Sequence, residues 1–295
     1  MAFLRLDWGR FVMLLGFNKT KNWTRGVLAA ATLAFGAGAA SAADIAEPAA
    51  PTPFTFSTTE IQFQLGQLKN PFADKNKANW TPIVTLQHAS SWVFGDVFFF
   101  VDFLDDKRKD GFNDQDAYGE FYAYFSSSKL LGANYGDGLI KDIGVVAGIN
   151  ADADANYRSY LPGVYVDWKV PGFAFFRTQF TAVLDDSNHS GPNGKQKDGW
   201  QFDNSFAAPF SIAGQYFSFE GHWEYTANKE TNIDGFRIKQ KDWFLAQPQL
   251  RWDAGYALTG KKDVFFLGTE YQLWVNKLGS KTDESRFQAL AVIRF

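Results

Sequence analysis

From about Glu60 to the final residue, Phe295, the chain sets apolar or aromatic side chains against polar ones with a period of two. The last stretch, Arg286-Phe287-Gln288-Ala289-Leu290-Ala291-Val292-Ile293-Arg294-Phe295, shows the pattern in full. Successive side chains of a strand point to opposite faces, so each such stretch has one apolar and one polar face. Many strands of this kind, with no helical stretch between them, point to a closed barrel with an apolar outside and a wet inside. The expected fold class is all-β, a transmembrane antiparallel up-and-down β-barrel of about twelve strands.

Composition agrees with that reading. Aromatic residues make up 18% of the chain, with 31 Phe, 10 Trp and 11 Tyr. Mean hydropathy is nevertheless −0.24, as expected when only every second residue meets lipid. No run after residue 42 is long and apolar enough for a spanning helix. The chain has no cysteine, which excludes a disulfide scaffold and a thiolate metal site.

The N-terminus reads as a cleaved signal peptide over residues 1–42. Arg5, Arg10, Lys19, Lys21 and Arg25 are basic, Gly26 to Ala40 is small and apolar, and Ala40-Ser41-Ala42 fits a cleavage site. Met13 is an alternative start. Losing this segment removes five basic residues and Asp7, moving the formal charge from −3 to −7. That acidic balance argues against nucleic acid as a partner. Residues 43–59, with Pro48, Pro51 and Pro53, read as a flexible periplasmic lead-in. Residues 60–295 form the barrel.

Alternation predicts strands over 60–68, 79–90, 93–104, 117–127, 140–150, 159–169, 173–184, 199–209, 214–226, 242–253, 263–275 and 286–295. Longer polar connections alternate with mostly shorter ones, as outer loops alternate with periplasmic turns. The segment 128–139 is long for such a turn.

A charge on the lipid face costs a few kcal/mol at mid-bilayer, so the charged face of each strand is the lumen. This places Asp96, Phe98, Phe100 and Asp102 inside, with Tyr118, Glu120, Tyr122 and Tyr124 on the next strand. Phe173, Phe175, Arg177 and Gln179 follow, then Gln201, Asp203 and Ser205, and then Ser218, Glu220, His222 and Glu224. Gln247, Gln249, Arg251, Asp253, Glu270, Gln272, Trp274, Gln288 and Arg294 complete the lining. Rings beside hydrogen-bonding groups suit a flat, polar-edged solute, and each stacked base contributes roughly 1–3 kcal/mol. The substrate-binding candidates are Asp96, Phe98, Phe100, Asp102, Glu120, Tyr122, Arg177, Glu220, Glu224, Arg251, Glu270 and Trp274. For each of them the alternative is structural: rings fill a narrow barrel and Arg–Glu pairs brace it.

Several stretches resemble the nucleoside-specific channel-forming outer-membrane family (the Tsx/OmpK-like proteins), most closely its OmpK branch. They are Gly95-Asp96-Val97-Phe98-Phe99-Phe100-Val101-Asp102-Phe103, Tyr118-Gly119-Glu120-Phe121-Tyr122, Tyr160-Leu161-Pro162-Gly163-Val164 and Val170-Pro171-Gly172-Phe173-Ala174-Phe175-Phe176. Ala246-Gln247-Pro248-Gln249-Leu250-Arg251-Trp252-Asp253 and Gln288-Ala289-Leu290-Ala291-Val292-Ile293-Arg294-Phe295 continue them in family order. The resemblance implies a monomeric twelve-stranded barrel in the bacterial outer membrane. It implies passive, saturable uptake of nucleosides, with binding roles on Phe98, Phe100, Asp102, Glu120 and Tyr122. Some relatives also serve as phage or colicin receptors through their outer loops.

Other chemistry is not signalled. Asn150, Asp152, Asp154 and Asn156 alternate like calcium ligands but lack the glycine and the terminal acid of an EF-hand loop, and read as a solvated loop. Glu220, His222 and Glu224 are about 7 Å apart along a strand, so they share a wall rather than meet at a point. No nucleophile or acid constellation indicates an enzyme, and no cofactor or metal is expected. Phe295 resembles the recognition signal of the barrel-assembly machinery, and equally an ordinary lipid contact. The leading reading is a nucleoside-selective channel. The alternatives are a channel for another small polar solute and a narrow receptor-type barrel with little transport.

Overall fold

Every predicted strand is present, and the order in which the strands pair closes the sheet. The computed structural model describes residues 54–72, 78–109, 112–187, 197–227, 229–233 and 236–295. The expected signal peptide and residues 43–53 of the lead-in lie outside them, as do His189 and parts of four long connections.

The strands are β1 (Phe54–Lys69), β2 (Ala78–Trp92), β3 (Gly95–Leu104), β4 (Asp116–Ser126), β5 (Ile140–Asp152) and β6 (Tyr157–Trp168). They continue as β7 (Phe175–Asp185), β8 (Gly199–Ile212) and β9 (Gln215–Ala227), then the short β10 (Glu230–Ile233) and β11 (Phe236–Lys239). β12 (Trp243–Ala246), β13 (Gln249–Trp252), β14 (Phe265–Val275) and β15 (Glu284–Arg294) complete the set. Each neighbour pairs antiparallel, and β1 pairs with both β2 and β15. β12 and β13 both lie between β9 and β14 and act as one interrupted strand, so the ring has twelve members. Thr59 and Phe295 exchange two backbone hydrogen bonds, of 3.0 and 2.9 Å, at the seam.

Four details depart from the sequence expectation. β1 starts at Phe54, inside the expected lead-in, because Phe54–Thr59 pair with the end of β2 and the Phe54 ring packs on Trp92 at 5.5 Å. The predicted strand 242–253 is interrupted at Gln247-Pro248, where proline offers no N–H to the ladder. Opposite it stands Gly221, at φ 146°, where a Cβ would collide with the Gln247 carbonyl oxygen. The connection after β9 contains the hairpin β10–β11. Finally, 128–139 is long because it contains helix α1 (Ser127–Leu131), capped by Ser126 and by left-handed Gly132. The β8–β9 connection, by contrast, is a two-residue hairpin: Ala213 (φ 49°) and Gly214 (φ 75°) both take the positive φ that such turns demand.

The two faces separate cleanly. Exposed Phe63, Leu65, Leu86, Phe121, Val145, Val164, Phe180, Phe219, Leu250 and Leu267 all point outward. Among the described residues, outward positions of the barrel strands carry no Asp or Glu. Their basic residues, Lys69, Lys141 and Arg158, stand at strand ends.

Candidate functional site

The interior is built in unequal parts, and register decides which predicted lumen residues are free. Three parts are filled. On the wall formed by β4 to β7, Tyr122, Tyr124, Val146, Leu161, Tyr165 and Val183 form a packed cluster, with Phe98 against it. Within it Arg177 bridges strands: Nε donates to Asp167 Oδ1 at 2.6 Å and Nη2 to Asp96 Oδ2 at 2.6 Å. Its guanidinium lies 4.0 Å from the Tyr124 ring centre and 4.5 Å from that of Tyr165. Nη2 also donates to Asp167 Oδ2 at 2.7 Å, so the planar fork is held by two carboxylates and flanked by two rings.

The second filled part joins β1, β9, β13 and β15. Arg251 is 2% exposed and pairs with Glu60 and Glu220, each at 3.1 Å, while Arg294 reaches Glu60 at 2.6 Å. Beside it Glu270 accepts from Gln64 (2.8 Å), Gln249 (2.7 Å), Gln288 (2.7 Å) and Gln247 (3.3 Å). Buried carboxylates of this kind are stable only when such donors replace water. The glutamines arise from alternation, since Gln62 and Gln64 share one face of β1 as Gln247 and Gln249 share one face of the β12–β13 strand. Third, Phe266, Leu290 and Val292 form a small apolar cluster near the C-terminal end of β15, with Arg294 over the Phe266 ring at 4.6 Å.

What stays half-exposed inside lies along β3 and β8–β9. Phe98 and Phe100 stand 6.2 Å apart between ring centres, and Tyr118 is 6.0 Å from Phe100. Glu120 accepts from Tyr118, from Tyr122 at 2.9 Å and from Asn150 at 3.0 Å. Asp102 accepts from Thr85 at 2.5 Å. On β8 and β9, Asp203 stands opposite Glu224, which accepts from Gln201, and His222 stands opposite Ser205. This is a lane with the rings, Asp102 and Glu120 on its β3–β4 wall and Asp203 and Glu224 on its β8–β9 wall.

The twelve candidates therefore divide. Phe98, Phe100, Asp102, Glu120 and Glu224 border the lane. Trp274 faces inward opposite Glu284, with the Lys277 ammonium 5.9 Å from its ring centre beneath a long connection. Arg177, Arg251, Glu270 and Tyr122 are committed to the filled parts. Asp96 and Glu220 are half-exposed but each is bonded to one of those arginines. Two inner-face assignments are corrected. Phe173 lies before β7 and packs on Phe176 and Phe206, which occupy outward positions. Asp253 caps helix α2 (Ala254–Thr259), accepting from the Tyr256 N–H at 2.8 Å and the Asp263 N–H at 2.9 Å. Phe175 keeps the inward register but ends its strand and is 45% exposed. Asp203 and Tyr118, placed on the inner face by alternation but not among the candidates, belong to the lane.

No protein-family model matches this chain, and no curated protein matches it. Solved structures do align with it. The KdgM porin superposes with a TM-score of 0.44 at 7% identity, covering 80% of this chain and 99% of that one. The beta domain of a Bordetella autotransporter gives 0.33 at 12% identity, covering 81% and 98%. OprD of Pseudomonas aeruginosa gives 0.28 at 9%, covering 86% and 99%. At such values the likeness names no solute for this chain.

Proposed function

We propose that the protein is a bacterial outer-membrane channel for passive, substrate-selective uptake of nucleosides. The observation that carries this reading is the half-exposed ring series Phe98, Phe100 and Tyr118 beside the Glu120 carboxylate, in an interior of which three other parts are filled by packed rings, apolar side chains and paired charges. A base stacks on any of these rings with roughly 1–3 kcal/mol. Carboxylates accept hydrogen bonds from ribose hydroxyls and exocyclic amines. Weak contacts in series let a solute enter and leave. The sequence resemblance to nucleoside channels rests on the same stretches. Phe295 would then serve as the assembly signal at the closing strand.

The test is conductance of the purified protein in a planar bilayer, titrated with a panel of nucleosides. Saturable block is expected, and the Phe98→Ala/Phe100→Ala double variant should weaken it. Unchanged block in that variant removes these rings from the site. A second reading, a receptor-type barrel with little transport, is favoured by how much of the interior is packed. Conductance without solute-dependent block would support it.

A further inference from the structure

At one level of the interior, charge is not balanced. Asp203 and Glu224 face each other across β8 and β9, and Glu120 lies within electrostatic reach of both. Among the described residues none of the three forms an ion pair. The cation that acts on Asp203 is Arg177, which Asp96 and Asp167 already hold.

A second observation points the same way. One register step toward the end with the long connections stands the row Thr181, Gln201 and Thr226, on β7, β8 and β9. These side chains are 0%, 4% and 3% exposed. Thr181 Oγ1, Gln201 Oε1 and Thr226 Oγ1 each lack a hydrogen-bond partner. The Gln201 amide donates to the Glu224 carboxylate, so its free oxygen lies beside the acidic pair. A buried polar atom left unpaired forfeits the hydrogen bonds that water would have given it. Three in one row, next to carboxylates with no counter-charge, make a lining of oxygens that a cation would satisfy.

We propose that this level is a transit site for a small cation, a potassium-sized ion or an ammonium group. Asp203 and Glu224 attract the ion, and the unpaired oxygens of Thr181, Gln201 and Thr226 replace part of its water. The pore therefore prefers cations to anions. Among the described residues no three His, Cys, Asp or Glu side chains converge as a chelate, which suits passage rather than a resident divalent ion. Rings of carboxylates select cations in this way in other pores. The proposal rests on the channel reading and extends it.

The experiment is the reversal potential of the full mature protein in a planar bilayer under a steep KCl gradient. The expected result is a potential on the potassium side, with the K⁺/Cl⁻ permeability ratio falling several-fold in Asp203→Asn and in Glu224→Gln. The single-channel conductance of each variant shows that it has folded. Where a variant fails to insert, the wild-type sign still decides. A wild-type potential at zero or on the chloride side, or a ratio unmoved by either substitution, overturns the cation site while leaving a channel. Absence of any conductance overturns the channel reading and the cation site together, whereas cation preference without nucleoside block sinks only the nucleoside reading.

Discussion

Two arginines on the same kind of inward face show what a residue's number cannot. Arg177 and Arg251 were candidates for solute contact, yet each is held by one carboxylate from the neighbouring strand and one from a distant strand. Removing one partner of a buried pair leaves the other charge in low dielectric. Arg251→Met should therefore destabilise the barrel by about 3 kcal/mol, the low end of the usual range because Arg294 still neutralises Glu60. Urea unfolding in lipid vesicles measures it, and pairing the change with Glu60→Gln should recover part of the loss. Beyond the ends of the strands, the connection after β5 carries a different charge problem. Burial, with Asp116 and Asp114 nearby, raises the Asp154 carboxyl above its ordinary value. Between the ordinary value and the raised one, the folded state binds more protons than the unfolded, so stability rises as pH falls through that window. Asp154→Asn should abolish that acid-side gain and stabilise the neutral-pH protein slightly, within about 0.5 kcal/mol for a surface site. Identical pH–stability curves for the two proteins would refute this.

At the scale of elements, the interrupted strand is the informative one. Pro248 breaks the ladder between β12 and β13, yet the register on both neighbours continues unchanged across the gap. Gly221 makes this possible, because its φ of 146° and missing Cβ admit the Gln247-Pro248 backbone. Gly221→Ala should cost about 1–3 kcal/mol, the usual cost of such backbone strain. The folded, fast-migrating band on an unboiled gel should then be lost at a lower temperature than in wild type. Pro248→Ala should not rescue it, since the positive φ at position 221 persists.

For the whole molecule, closure and two-sidedness are the governing facts. In the proposed outer-membrane setting, outward mid-strand positions meet hydrocarbon and inward ones a wet or packed interior, so the same substitution has different costs on the two faces. Phe121→Arg, outward in the middle of β4, should lose about 2–4 kcal/mol of stability in lipid. Ser205→Arg, inward on β8, should lose much less. Equal losses at both sites would mean that the faces are misassigned.

Alternation, a local property, was enough to determine the strands, their faces, the number in the ring and most of the lumen lining of this protein. Except for Phe173 and Asp253, which lie beyond the ends of their strands, rings and charges fell on the correct side because a period of two allows no intermediate choice. Tertiary structure alone decided which inward groups are bound up and which border open space. Arg177 meets Asp96 from 81 positions away, and Arg251 meets Glu60 from 191. Such partners are brought together only when sheet closure and register set the heights of distant strands. The row Thr181, Gln201 and Thr226 needs only the register of three successive strands. Side-chain chemistry is written in order along the chain, whereas charge balance inside a barrel is summed around its circumference.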